Sequence, residues 1–99
     1  MARVSRHLHK ARTGHGCTFV VPVKATQRSV YAEGRPVLRR GDPTKPHVIR
    51  IGIYCVGHMA KVNRGSSSVF ARGIPIARKG DSTDFGRLIQ ATGTVHAGG

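Results

Sequence analysis

Apolar runs along this chain are short, and Gly and Pro, 13 and 5 of its 99 residues, cut them before a helical period is sustained. Even Val23 to Glu33, which is free of both, carries β-branched and small residues at Val23, Ala25, Thr26, Ser29, Val30 and Ala32 and sustains no apolar stripe of helical period. The pattern predicts strands. Ser29-Val30-Tyr31-Ala32 reads as a short strand, Glu33-Gly34 as a two-residue turn in which Gly takes a positive φ, and Arg35 to Arg39 as the returning strand. Ser68 to Arg78 repeats this reading with Arg72-Gly73 at the turn. Pro36 and Pro75 have no amide hydrogen to give a ladder, so each returning strand is expected at an edge.

The two hairpins belong to one phrase used twice. SVYAEGRPVLRRGDPT from Ser29 to Thr44 and SVFARGIPIARKGDST from Ser68 to Thr83 are offset by 39 residues, identical at nine positions and conservatively changed at three more. A partial third copy is expected at Thr94 to Gly99, whose Thr-Val-His-Ala echoes Ser-Val-aromatic-Ala. Each full copy ends in Arg-basic-Gly-Asp. Asp42 and Asp81 are read as acceptors of backbone amides in Asx-type turns, because no nucleophile or base accompanies them.

A single domain over residues 1–99 is the expected organisation, with a basic segment at 1–12, the repeats at 29–44 and 68–83, and a closing strand at 93–99. At this size only about two-thirds of the unfolded surface is buried on folding, and five aromatics without Trp leave the core thin. Such folds usually need a staple. The net charge of +13 and pI near 11.6 point to an acidic partner, whether nucleic acid, an anionic membrane or an acidic protein. The bases run from Arg3 to Arg87 without forming a single stripe, and the aromatics are not interleaved with them as a stacking platform for single strands requires. No run approaches the ~18 apolar residues of a membrane span. With no apolar signal stretch, the chain is expected to be made in the cytoplasm without a signal peptide.

Residues outside the repeat carry the candidate chemistry. His15 and Cys17, His47, and the pair Cys55 and His58 lie in Gly- or Pro-bounded loops, and Cys-x-x-His is a spacing at which both side chains can turn onto one ion. Cys17 and Cys55, the only thiols, are expected to favour metal over a disulfide. His7, His9 and His96 are expected at the surface. No paired carboxylate or nucleophile constellation supports an enzyme; Asp84 with His96 is too little.

From Gly65 to Asp81 the chain resembles the repeat of PAAR proteins, Gly-Ser-x-x-Val-Phe-x-x-Gly-x-Pro-Ala-Ala-Arg-x-Gly-Asp, and Ser29 to Asp42 is a second match. Thr13-Gly14-His15-Gly16-Cys17 is similar to that family's opening loop, and Gly93 to Gly99 to its closing strand. The resemblance implies an all-β, three-faced cone with pseudo-three-fold symmetry and a metal-stapled tip. It implies three histidines and one cysteine on structural zinc, which here are His15, His47, Cys55 and His58, with Cys17 a substitute ligand and iron also compatible. It further implies a non-enzymatic spike-tip protein of a phage tail or type VI secretion system. Such a protein caps a trimeric spike, VgrG-like or of a phage tail, one tip per trimer, and sharpens it for piercing the target-cell membrane. The expected localisation is that spike tip, with no small-molecule substrate. Two departures stand out: Ala2 to Arg12 lacks the usual opening Gly-Asp, and Thr83-Asp84-Phe85-Gly86 stands where many members carry a cysteine-containing turn. The rival reading is a small basic zinc-containing nucleic-acid-binding protein, which predicts affinity falling with salt.

Overall fold

The computed structural model describes residues 2–98, and every strand pairing in it is antiparallel. The strands are β1 (Ala2–Arg3), β2 (Lys10–Arg12), β3 (Val20–Pro22), β4 (Tyr31–Ala32), β5 (Arg35–Pro36), β6 (His47–Ile51), β7 (Tyr54–His58), β8 (Phe70–Ala71), β9 (Ile74–Pro75), β10 (Ser82–Thr83), β11 (Gly86–Leu88) and β12 (His96–Ala97), with no helix among the described residues. The all-β class read from the sequence is therefore the observed one. The body is elongated, 41 × 23 × 22 Å.

Both predicted repeat hairpins form. In the first, Tyr31 faces Pro36 and Ala32 faces Arg35; in the second, Phe70 faces Pro75 and Ala71 faces Ile74. Their turns have positive φ at both central residues, 51° and 87° at Glu33-Gly34 and 51° and 80° at Arg72-Gly73, which matches the twist of the flanking strands.

A third hairpin is assembled from the two ends of the chain. β12 pairs with β1, setting Ala97 opposite Ala2 and His96 opposite Arg3. Val4-Ser5-Arg6 then leaves β1 as Val37-Leu38-Arg39 leaves β5 and Ile76-Ala77-Arg78 leaves β9. The basic segment 1–12 thus completes the third unit; Met1 and Gly99, its outermost expected residues, lie outside the described range.

Backbone hydrogen bonds close these three segments into a ring. Ser5 N–H donates to the Ala77 carbonyl (3.1 Å), Ala77 N–H to Leu38 (2.8 Å), and Leu38 N–H to Ser5 (2.9 Å). The following arginine of each segment reaches into the next unit: Arg6 donates to the Glu33 carbonyl (2.5 Å), Arg39 to Ala71 (3.2 Å) and Arg78 to Gly98 (3.1 Å). One buried layer, Val4, Ala32, Val37, Ala71, Ile76 and Ala97, and another, Ala11, Val23, Leu38, Val62, Ala77 and Leu88, take members from all three units.

The predicted Asx-type turns are present. Asp42 Oδ2 accepts from Arg39 N–H at 2.8 Å and Asp81 Oδ2 from Arg78 N–H at 2.7 Å. At the same place in the third unit, His9 Nδ1 accepts from Arg6 N–H at 2.9 Å. The expectation that His9 is a surface residue is corrected here: it is buried because its ring does the work that aspartate does in the other two copies. His96 is exposed, whereas His7 is half-buried, its Nδ1 accepting from Ala25 N–H.

Burial, and then the charges of Arg6 and Arg35, depress the pKa of His9 from 6.5 to about 4. An unfolded chain protonates His9 below 6.5 while the folded chain resists until about 4, so its share of stability is lost as pH falls through that window and levels off below it. Denaturant midpoints measured across the window should show a shallower fall for His9→Asp than for the parent; an equal slope contradicts the assigned role.

Candidate metal centre

Three buried threonines mark where the chain leaves the body at one end. Thr13 precedes the loop joining β2 to β3, Thr44 precedes the β6–β7 hairpin, and Thr83 precedes the Asp84-Phe85 turn joining β10 to β11. The loops deliver His15, His47 with His58, and Asp84 to one place. The hairpin contributes two because its register sets His47 directly opposite His58 at its root.

Ligand atoms of these four side chains all lie within 4.8 Å of one another. Asp84 Oδ2 lies 2.8 Å from His15 Nε2 and 2.6 Å from His47 Nε2, and Oδ1 lies 2.8 Å from His58 Nε2. The Asp84 side chain is fully buried, those of His15 and His47 nearly so, and that of His58 is 23% exposed. His15 Nδ1 lies 3.0 Å from the Gly16 carbonyl and His47 Nδ1 lies 2.8 Å from that of Lys45. A carbonyl only accepts, so each Nδ1 carries the proton and donates, and a neutral ring then presents an Nε2 lone pair to the centre. The His15 and His47 Nε2 atoms are 3.3 Å apart. Metal–nitrogen bonds of ~2.0 Å place the corners of a tetrahedron ~3.3 Å apart.

Lone pairs converging on a buried carboxylate need a cation between them, whether protons or a metal ion. Burial works against ionisation at both partners. The Gly16 carbonyl and the Asp84 carboxylate nevertheless outweigh it at His15 and raise its pKa, and hydrogen bonds from His58, His15 and His47 outweigh it at Asp84 and lower its pKa. The cluster is thus built around an ionised aspartate, and its donor set of three imidazoles and one carboxylate suits a metal.

Cysteine departs from expectation. Cys17 and Cys55 form a disulfide with Cα atoms 6.0 Å apart, which corrects the expectation that the thiols favour metal over a bridge. The Cys-x-x-His spacing sits in a strand: β7 runs through both residues, so Cys55 and His58 lie ~10 Å apart on opposite faces. Cys17, the expected substitute ligand, bridges Ile49 of β6 through its backbone while its sulfur is bonded to Cys55 of β7. The loop carrying His15 is thereby tied to both strands of the hairpin. Closing a 38-residue separation in this way stabilises by ~4 kcal/mol on the chain-entropy account.

Asp84 is the site residue that the sequence reading missed. Its signal was the Asp-containing turn standing where a cysteine was expected. Asp84 and Phe85 both take positive φ, 51° and 62°, which costs ~1 kcal/mol each for residues with a Cβ. The turn reaches the histidines because the neighbouring backbones approach closely: a Cβ on Gly14 would overlap the Phe85 carbonyl, and one on Gly86 the Arg12 carbonyl.

Because the disulfide anchors His15 to the hairpin bearing His47 and His58, reduction should loosen the site without removing any of its four candidate ligands. Metal release to a chelator, followed with and without a reductant, should be faster from the reduced protein; equal rates would show that the bridge does not organise the centre.

No curated protein matches the chain. A family model does: residues 20–91 match the PAAR motif. That span covers most of the chain and includes both copies of the repeat, two of the three histidines and Asp84. The chain belongs to the PAAR-motif family, with the spike-tip type of role in contractile injection or type VI secretion systems that the family carries.

Proposed function

We propose that this protein is the metal-stapled tip of a trimeric spike, with His15, His47, His58 and Asp84 as the ligands of one structural zinc ion. The observation that carries the reading is the convergence of one loop from each of three similar units on a single buried carboxylate. Three-fold organisation is supported by the closed ring of Ser5, Leu38 and Ala77, and a cone narrowing toward the metal would suit the elongated body. One tip would then sit on one trimer, VgrG-like or of a phage tail, each hairpin unit facing one subunit.

Away from the metal loops, the repeat hairpins expose Tyr31 at 54% and Phe70 at 52%, equivalent positions in the two copies. Exposed aromatics repeated in this way suit the partly apolar base by which the tip would seat on its spike. The role is structural. The ion would supply cross-linking at an end with almost no interior to bury, so metal binding and folding of that end are coupled.

Elemental analysis of purified protein tests the site: about one zinc per chain is expected, retained in Cys55→Ser and lost in His58→Ala and Asp84→Ala. Retention in Asp84→Ala with loss in Cys55→Ser would overturn the ligand set. For the spike, Phe70→Glu should abolish co-purification with the trimer encoded for the same machine while metal content stays unchanged. Undiminished co-purification would remove the proposed base.

A further inference from the structure

Charge is distributed unevenly between the metal end and the rest of the surface. Residues 13–20, 46–60 and 84–86 form the three loops, and Arg50 is the only Lys or Arg among them, in a chain that carries 17. Asp84, their only acid, is buried. Beside Arg50, which is exposed with its Nε donating to the Gly52 carbonyl, these loops expose large apolar side chains: Ile53 at 83%, Phe85 at 79%, Tyr54 at 69%, Phe19 at 66% and Ile51 at 59%. Immediately behind them, Arg12, Lys45, Lys61 and Arg87 are all exposed, each within two residues of where a loop begins or ends. Arg12 and Arg87 even face each other across β2 and β11, an arrangement of like charges that costs stability when no anion lies nearby.

We propose that this end is a lipid-docking surface, an apolar cap with Arg50 as its one exposed charge, which enters the interfacial layer of an anionic bilayer while the cationic collar contacts lipid phosphates. An apolar patch alone would fit many partners. The collar selects the bilayer, because side chains that combine an alkyl stem with a charged head suit the boundary between acyl chains and phosphates. Charge complementarity supports the same occupant. Asp42, Asp81 and Asp84 are buried, and Glu33 is engaged by Gly93 and Thr94, so little exposed acid opposes an anionic surface.

Backbone chemistry limits the depth. The outer edge of β6 is covered, Arg50 N–H donating to the Gly16 carbonyl and Val48 N–H to Thr18 Oγ1, both at 3.2 Å. Among the described residues β7 pairs with no strand other than β6, so its outer edge keeps polar groups that hydrocarbon cannot satisfy. The cap therefore docks at the headgroup layer and does not span. The inference deepens the spike-tip reading, on which its biological setting rests, by naming what the point engages.

The test uses the full metal-loaded chain and vesicles of phosphatidylglycerol and phosphatidylcholine in equal parts, against phosphatidylcholine alone. Co-sedimentation should favour the anionic vesicles and weaken with salt, and Ile53→Asp should reduce it by ~10-fold or more with metal content unchanged. Because the chain has no Trp, Ile53→Trp supplies a single reporter whose emission should shift to the blue on anionic vesicles. Equal binding to both vesicles, binding indifferent to Ile53→Asp, or an unshifted Trp spectrum would overturn the proposal. So would a dimer of the free protein that Ile53→Asp disperses without any vesicle binding, since the cap would then be an interface between copies. Phe70→Glu separates the two readings: it should spare vesicle binding while disrupting spike binding. Failure on vesicles with spike binding intact overturns only the lipid surface.

Discussion

Three imidazole nitrogens face one buried carboxylate, and the end of the molecule depends on what holds them there. Among the described residues the β6–β7 hairpin pairs with no other strand, and an isolated two-stranded hairpin is marginal in water. His47 and His58 clamp its two strands at the root, His15 ties in the loop from β2, and Asp84 ties in the turn before β11. In this account one ion replaces a core that three short loops cannot build. The Cys17–Cys55 bridge is a second fastening on the same hairpin, so two constraints of different chemistry secure the least buried part of the chain.

The body beneath is secured differently, by repetition. Each unit places a small apolar pair in the shared core, passes one segment to the ring of Ser5, Leu38 and Ala77, and sends an arginine to a carbonyl of the next unit. Because β1 and β12 form the third hairpin together, the two ends of the domain lie side by side and the ring closes without a free edge between the first and last units. The elongated form, with a candidate metal site where its loops converge, is consistent with the spike-tip family to which the chain belongs.

Much of this was legible in the order of residues. The repeated phrase announced both hairpins with their turns, and the Gly-Asp pairs announced Asx-type turns, because backbone geometry there is dictated within a few residues. The third unit was harder, since its halves lie at opposite ends of the sequence and its turn acceptor is His9 instead of aspartate. Three histidines of the cluster were recognisable by type and loop setting. Cysteine was not, because Cys55 and His58 look like neighbouring ligands in sequence but point to opposite faces once β7 is extended. Asp84 was hidden for the complementary reason: a carboxylate declares itself as a ligand only when distant segments bring imidazoles to it.

Zinc K-edge X-ray absorption on the purified, metal-loaded protein tests the central claim most directly. The account predicts a first shell of about four nitrogen and oxygen neighbours near 2.0 Å with imidazole scattering and no sulfur. A sulfur shell near 2.3 Å would place cysteine on the metal and contradict both the ligand set and the disulfide that excludes it.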